Sequence, residues 1–145
     1  MILEENFDDK LHDECGVYGV YKVKGQNGER SSDVAATCYF GLYSLQHRGQ
    51  ESSGIAVWDG KEIKVKKDIG LVGDVFSKDD LNNLSGYAAV GHVRYSTAGG
   101  KGVENAQPMV SQMKLGSVAV AHNGQLVNYE QLREMLEETG STFNS

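Results

Sequence analysis

Cys15 heads the run Cys15-Gly16-Val17-Tyr18-Gly19-Val20, behind fourteen residues of quite different character. A cysteine attacks as its thiolate and needs a base to reach that state. A cut between Glu14 and Cys15 would supply one, the freed α-amino group. Its ordinary pKa of roughly 7.7–8.0 suits proton transfer near neutral pH. The competing reading of Cys15 is a small buried hydrophobe at the start of a strand. Three polar, glycine-punctuated stretches bear on the choice: Gln46-His47-Arg48-Gly49-Gln50-Glu51-Ser52-Ser53-Gly54, Arg94-Tyr95-Ser96-Thr97-Ala98-Gly99-Gly100, and His122-Asn123-Gly124. Alone, Arg48 and Arg94 read as surface ion-pair partners. Asn123-Gly124 alone is a turn signal, since both residues tolerate positive φ. Together they supply what an amide hydrolase needs. A guanidinium holds a substrate carboxylate in a two-pronged fork. An asparagine amide beside a glycine N–H offers two donors to a tetrahedral oxyanion. None of the four histidines sits in an obvious Cys–His motif, and an α-amino base would make one unnecessary.

The chain of 145 residues is 39% hydrophobic and 23% charged, the composition of one ordinary globular domain. Its formal charge of −6 argues against a nucleic-acid partner. Residues 1–14 carry Glu4, Glu5, Asp8, Asp9, Asp13 and Glu14 against Lys10 alone, which is −5 of that −6. This segment has neither the basic start nor the apolar centre of a secretory signal. No stretch has the length of apolar residues needed to cross a membrane. Two cysteines, Cys15 and Cys38, make no disulfide framework and no paired zinc spacing. A reduced, cytoplasmic location is the expectation.

The elements that would position these residues follow from periodicity. Residues 16–23 read as a strand, ending in a turn at Gly25-Gln26-Asn27-Gly28. Ser31 or Ser32 caps a helix to about Leu45, apolar on most sides and expected to be covered, with Cys38 in its core stripe. Ile55–Trp58 is a strand joined through Asp59-Gly60 to a strand over Lys61–Asp68. There Ile63 and Val65 should face the core, and Lys64 and Lys66 the solvent. A short helix runs from Ser77 to Leu84 with Asp79 and Asp80 in its first turn. Gly86–Tyr95 is a strand covered on both faces, Val110 and Met113 belong to a short strand, and Ser117–Ala121 is another. Asn128 opens a helix to about Thr139, with Gln131 completing a capping box, Gly140 ending it, and Tyr129, Leu132, Met135 and Leu136 as its buried stripe. Blocks of strands and helices with hairpin-like neighbours indicate a layered α+β domain.

Four motifs in order, Cys15-Gly16-Val17-Tyr18-Gly19, Gln46 to Gly54, Gly91-His92-Val93-Arg94-Tyr95-Ser96-Thr97-Ala98-Gly99 and Ala121-His122-Asn123-Gly124, resemble the N-terminal glutaminase domain of glutamine phosphoribosylpyrophosphate amidotransferases. The wider group is the N-terminal-nucleophile (Ntn), or class II, glutamine amidotransferases. The resemblance runs from Cys15 to the end of the chain. It implies a four-layer αββα sandwich, truncated at the C-terminus, behind an acidic propeptide of residues 1–14 cleaved between Glu14 and Cys15. It further implies Cys15 as nucleophile and, through its amine, base, with Asn123 and Gly124 as the oxyanion hole. Arg94 and Thr97 would bind the glutamine α-carboxylate, and Arg48 and Gly49 would line the site. The implied activity is hydrolysis of L-glutamine and delivery of ammonia to phosphoribosyl pyrophosphate, giving 5-phosphoribosylamine in purine synthesis. Two departures mark the chain as a fragment: the stretch holding the family's α-amino-binding aspartate should begin at Ser141–Ser145, and the phosphoribosyltransferase domain is absent. For the complete enzyme the resemblance implies Mg2+, a homo-oligomer and, as in some propeptide-bearing members, a 4Fe–4S cluster whose ligands lie beyond residue 145. No metal is expected on residues 1–145. The alternatives are another acceptor, as in glucosamine-6-phosphate synthase or asparagine synthetase, and a non-catalytic module of the same fold.

Overall fold

Residues 88–94 carry small and apolar side chains up to Arg94, so a strand there can be covered on both faces. That strand is the centre of the molecule. The computed structural model describes residues 14–23, 34–95, 102–124 and 126–143. In chain order it contains β1 (Gly16–Tyr21), α1 (Val34–Ser44), a 3-10 turn (Gln46–Arg48), β2 (Ser52–Trp58), β3 (Ile63–Ile69), α2 (Val72–Val75), α3 (Lys78–Asn83), β4 (Ala88–Arg94), a second 3-10 turn (Val103–Asn105), β5 (Met109–Met113), β6 (Gly116–Val120) and α4 (Tyr129–Glu138). An antiparallel sheet has the order β1-β4-β2-β3, and β5 and β6 form a separate antiparallel pair. Residues 1–13 of the leader, the turn at 25–28, the caps Ser31 and Ser32, and Thr97 lie outside the described residues.

One face of the four-stranded sheet carries the core. Ile55 and Val57 of β2 and Ala89 and Val93 of β4 meet Val34, Ala35, Cys38 and Leu42 of α1, with Val72, Val75, Phe76 and Leu84 beside them. The expected helix is present, but only one of its sides is buried. Phe40 and Tyr43 are 66% and 60% exposed, because the sheet covers a single face of α1. Ser77 caps α3 as the sequence predicts: its hydroxyl accepts from the Asp80 N–H while the Asp80 carboxylate accepts from the Ser77 N–H.

The alternation expected in β3 is inverted. Register pairs Lys66 with Ile55 and Lys64 with Val57, so these lysines stand on the helix-covered face and Val65 on the other. β3 is an edge strand, where long aliphatic stems run past the core and carry their charges out to solvent. Lys66 reaches Asp80 of α3 at 4.0 Å, and Lys64 reaches Asp59 at 3.2 Å.

The opposite face carries Ser52, Gly54, His92 and Arg94, and is overlaid by residues 102–108. The Lys67 ammonium donates to the Ala106 carbonyl and pins that segment down. β6 contacts β3 from the same direction. α4 is closed by Gly140 at φ +92°, with the Gly140 N–H donating to Glu137 and the Ser141 N–H to Leu136. Two expectations for α4 fail. Asn128 makes no capping bond with its side chain, and the stripe of Tyr129, Leu132, Met135 and Leu136 is not buried. The periodicity is real, but among the described residues no layer stands against it. The arrangement is a helix–sheet–sheet stack whose second sheet consists of two strands, as a truncated αββα sandwich requires.

Leu42 is fully buried between α1 and the sheet. Leu42→Ala should lower unfolding stability by about 2–5 kcal/mol in urea denaturation. A loss under about 1 kcal/mol would show that α1 is not the core helix.

Candidate active site

Because β4 pairs antiparallel with both β1 and β2, the start of β1, the start of β2 and the end of β4 meet at one end of the sheet. Gly16 is opposite Val93, and Ser52 is opposite Arg94. Cys15, one residue before β1, therefore abuts the Arg94-Tyr95 step. Its sulfur accepts from the Tyr95 N–H at 3.3 Å and lies 3.4 Å from the Tyr95 carbonyl. Among the described residues Cys15 alone has positive φ without being glycine, at +52°. That conformation costs roughly 1–2 kcal/mol for an L-residue. It is held from both sides: the thiol rests on Tyr95, and the Cys15 carbonyl accepts from Arg48 Nε at 2.8 Å.

Arg48 is placed by its turn. The Gln46 side chain donates to the Gly49 carbonyl and accepts from the Val72 N–H at 2.7 Å, tying the 3-10 turn to α2. Gly49 then lies against β4, where any Cβ would come within 2.6 Å of the Val93 carbonyl group. Only glycine permits that approach, and the approach sets Arg48 beside Cys15.

Arg94 is almost wholly buried. Its Nη1 donates to Glu51 Oε1 at 3.0 Å, and the Glu51 N–H donates to the Arg94 carbonyl at 3.0 Å. A guanidinium this far from water needs a compensating carboxylate, and Glu51 supplies it. Neither Glu51 nor Gln46 was singled out for such a role from the sequence. Both lie within the Gln46–Gly54 motif, and the regular pairing of acids with arginines is the signal that could have found Glu51.

Two residues before Arg94, His92 points to the same face and is fully buried. Burial pushes its imidazole down to about 4, so the ring is neutral at neutral pH. Neither ring nitrogen meets a hydrogen-bond partner, and the His122 backbone and the Asn123 side chain raise the pKa against the larger effect of burial. The His122-Asn123 turn is secured by the His122 N–H, which donates to Gln107 Oε1 at 2.8 Å. Gly124 follows at φ +137°, a conformation closed to ordinary side chains.

The fold thus gathers Cys15, Arg48, Gly49 and Arg94 at one end of the sheet, while the His122-Asn123 turn is tied to Gln107. Thr97 lies outside the described residues. The other thiol, Cys38, is sealed beneath α1, and burial pushes it up to about 12. Among the described residues no three His, Cys, Asp or Glu side chains converge as metal ligands. With two cysteines in the chain, one at this site and one in the core, these residues do not fit a 4Fe–4S cluster or a Mg2+ site.

Residues 79–145 match the family described as glutamine amidotransferase domain. The amidophosphoribosyltransferase of Methanocaldococcus jannaschii is 53% identical over 131 residues, covering 90% of this chain and 26% of that protein. Amidophosphoribosyltransferase 3, chloroplastic, of Arabidopsis thaliana is 48% identical over 136 residues, covering 94% of this chain and 24% of that one. Among solved structures, the glutamine phosphoribosylpyrophosphate amidotransferase from B. subtilis complexed with ADP and GMP superposes with a TM-score of 0.75 at 41% identity, over 88% of this chain and 26% of that one. The matched family and the shared fold are those of a glutamine amidotransferase domain of the N-terminal-nucleophile hydrolase type. Within that class the chain is similar to the amidophosphoribosyltransferases, and it spans about a quarter of the length of the relatives it matches.

The two thiols should differ sharply in reactivity. Iodoacetamide at neutral pH is expected to modify Cys15 and to spare Cys38, as read by peptide mass mapping. Labelling of Cys38 in the folded protein would contradict its burial.

Proposed function

We propose that the chain is the glutaminase part of an amidotransferase whose complete form passes ammonia from L-glutamine to phosphoribosyl pyrophosphate, giving 5-phosphoribosylamine for purine synthesis. The observation that carries this reading is Cys15 itself, a strained residue fastened by its sulfur to Tyr95 and by its carbonyl to Arg48. A thiol in a structural role needs neither the strain nor the two anchors.

In this reading residues 1–14 are a propeptide, and hydrolysis of the Glu14–Cys15 bond frees the amine of Cys15. That amine takes the thiol proton, and the thiolate attacks the side-chain amide carbon of glutamine. The developing oxyanion is met by the Asn123 amide and the Gly124 N–H. The amine returns a proton to the departing nitrogen, ammonia leaves, and water hydrolyses the γ-glutamyl thioester to glutamate. Arg94, with Thr97, holds the α-carboxylate, and Glu51 keeps its guanidinium aligned on the opposite side. Arg48 and Gly49 form the wall beside the nucleophile. A reduced, cytoplasmic setting, a homo-oligomeric complete enzyme, and Mg2+ held outside the described residues belong to the same proposal.

Intact mass of the purified complete protein tests the first step: a homogeneous species beginning at Cys15 is expected, and one keeping residues 1–14 while hydrolysing glutamine would remove the amine from the mechanism. In the complete enzyme, Cys15→Ala should abolish glutamine-dependent product while ammonia-dependent product persists. Equal loss of both would make Cys15 structural. Arg94→Lys should raise the glutamine KM by an order of magnitude or more, since one ammonium cannot replace a fork. An unchanged KM would take Arg94 out of carboxylate binding.

A further inference from the structure

Residues 122–124 are all exposed, so apolar burial does not fix the turn that carries Asn123 and Gly124. Its placement comes from the segment opposite. Met109 pairs with Val120 in the β5–β6 ladder, and carrying that register two residues further sets Gln107 across from His122. The main chain does not continue the ladder there. Pro108 has no N–H to give, and the Gln107 carbonyl lies against Gly54 of β2, where an added Cβ would collide with its oxygen. The His122 N–H is met instead by the side chain of Gln107, whose Oε1 accepts it at 2.8 Å.

Gln107 is itself firmly seated. Ala106 before it and Pro108 after it are fully buried. The Ala106 carbonyl accepts from the Lys67 ammonium, a charge-assisted bond roughly twice as strong as a neutral one. Lys67 and Gly54 are partners across the β2–β3 ladder, so both fastenings act at one place on the sheet. Residues 106–108 thus form a strut. Their main chain rests on the sheet that holds Arg94, and the Gln107 side chain reaches out to the turn. Stiffness of this kind matters for an oxyanion donor, since a misplacement of about 1 Å can cost on the order of 10²-fold in rate.

We infer that Gln107 is the positioning residue of the oxyanion hole: accepting the His122 N–H in place of a ladder bond, its side chain fixes the backbone from which the Asn123 amide and the Gly124 N–H point. The inference rests on the glutaminase reading and deepens it. Gln107 acts through the turn and not on the substrate. It is used as an acceptor, a role that a carboxylate fills equally well and a methyl group cannot.

The test uses the mature, complete enzyme, with glutamine hydrolysis, Tm and the rate of Cys15 alkylation by iodoacetamide measured for each variant. Gln107→Met keeps the length of the side chain and puts a methyl group in place of the terminal amide. Its kcat should fall about 10- to 100-fold, up to the loss of one oxyanion donor, with the glutamine KM within about threefold. Alkylation of Cys15 should keep its wild-type rate, because that displacement forms no tetrahedral oxyanion. Gln107→Glu retains the acceptor and should bring kcat back to within about threefold of wild type. In an Asn123→Ala background, Gln107→Met should cost less than it does alone, since the donor it aims is already gone. Should Gln107→Met fail to fold, Gln107→Asn, whose amide stops one carbon short, takes its place with the same expectations. Unchanged kcat in Gln107→Met, a Gln107→Glu enzyme equally slow, or Cys15 alkylation falling in step with kcat overturns the inference and leaves the glutaminase reading standing. So do multiplicative losses in the double variant. No glutamine hydrolysis by the mature wild type overturns both.

Discussion

The pairing of β4 with strands on both sides is the constraint from which the site follows. Antiparallel ladders to β1 and β2 bring three chain ends to one end of the sheet: the approach to β1, the approach to β2 and the exit from β4. Cys15, Glu51 and Arg94 are the residues at those ends. A slip of one residue in either ladder would exchange the two faces of the slipped strand. Arg94 and Val93 would trade environments, a charge for a core methyl pair. The apolar packing of Val93 beneath α1 thus fixes where the Arg94 guanidinium points, and stability and chemistry are set by the same register.

Much of this was legible in the residues. The central strand showed itself by a run of small and apolar side chains, α3 by Ser77 and Asp80, and the end of α4 by Gly140. The four motifs singled out Cys15, Arg48, Arg94 and Asn123, and the fold sets the first three at one end of the sheet. Other features needed three dimensions. β3 alternates as an inward-facing strand should, but an edge strand lets lysine stems line the core margin, so the period gave the faces and assigned them the wrong way round. The stripe on α4 is equally regular, yet burial is a property of a pair of surfaces, and a sequence shows only one of them. The pairing of Glu51 with Arg94 spans 43 positions and becomes visible only once β2 lies against β4.

Polar groups on the second face of the sheet are arranged in depth. The guanidinium of Arg94 is compensated by Glu51, the Lys67 ammonium by the Ala106 carbonyl, and the His122 amide by Gln107. Each of these contacts crosses between elements, so the loop at 102–108 and the turn at 122–124 are placed by polar bonds more than by apolar packing. That contrasts with the α1 face, where Leu42, Ile55, Val57 and Val93 are sealed from water. The sheet has one oily face and one wired face, and Arg94 of the candidate site belongs to the wired one.

Gly49 carries a consequence of its own. Its contact with the backbone of β4 is main chain against main chain, with no side chain in between to be trimmed or exchanged. The Cys15 end of the sheet is consequently cast in one piece, since no side chain at position 49 has room to stand there. β5, β6 and α4, by contrast, carry apolar residues that are still open to solvent. Substitutions among those exposed residues can therefore alter that part of the surface while the backbone contact beside Cys15 stays as it is.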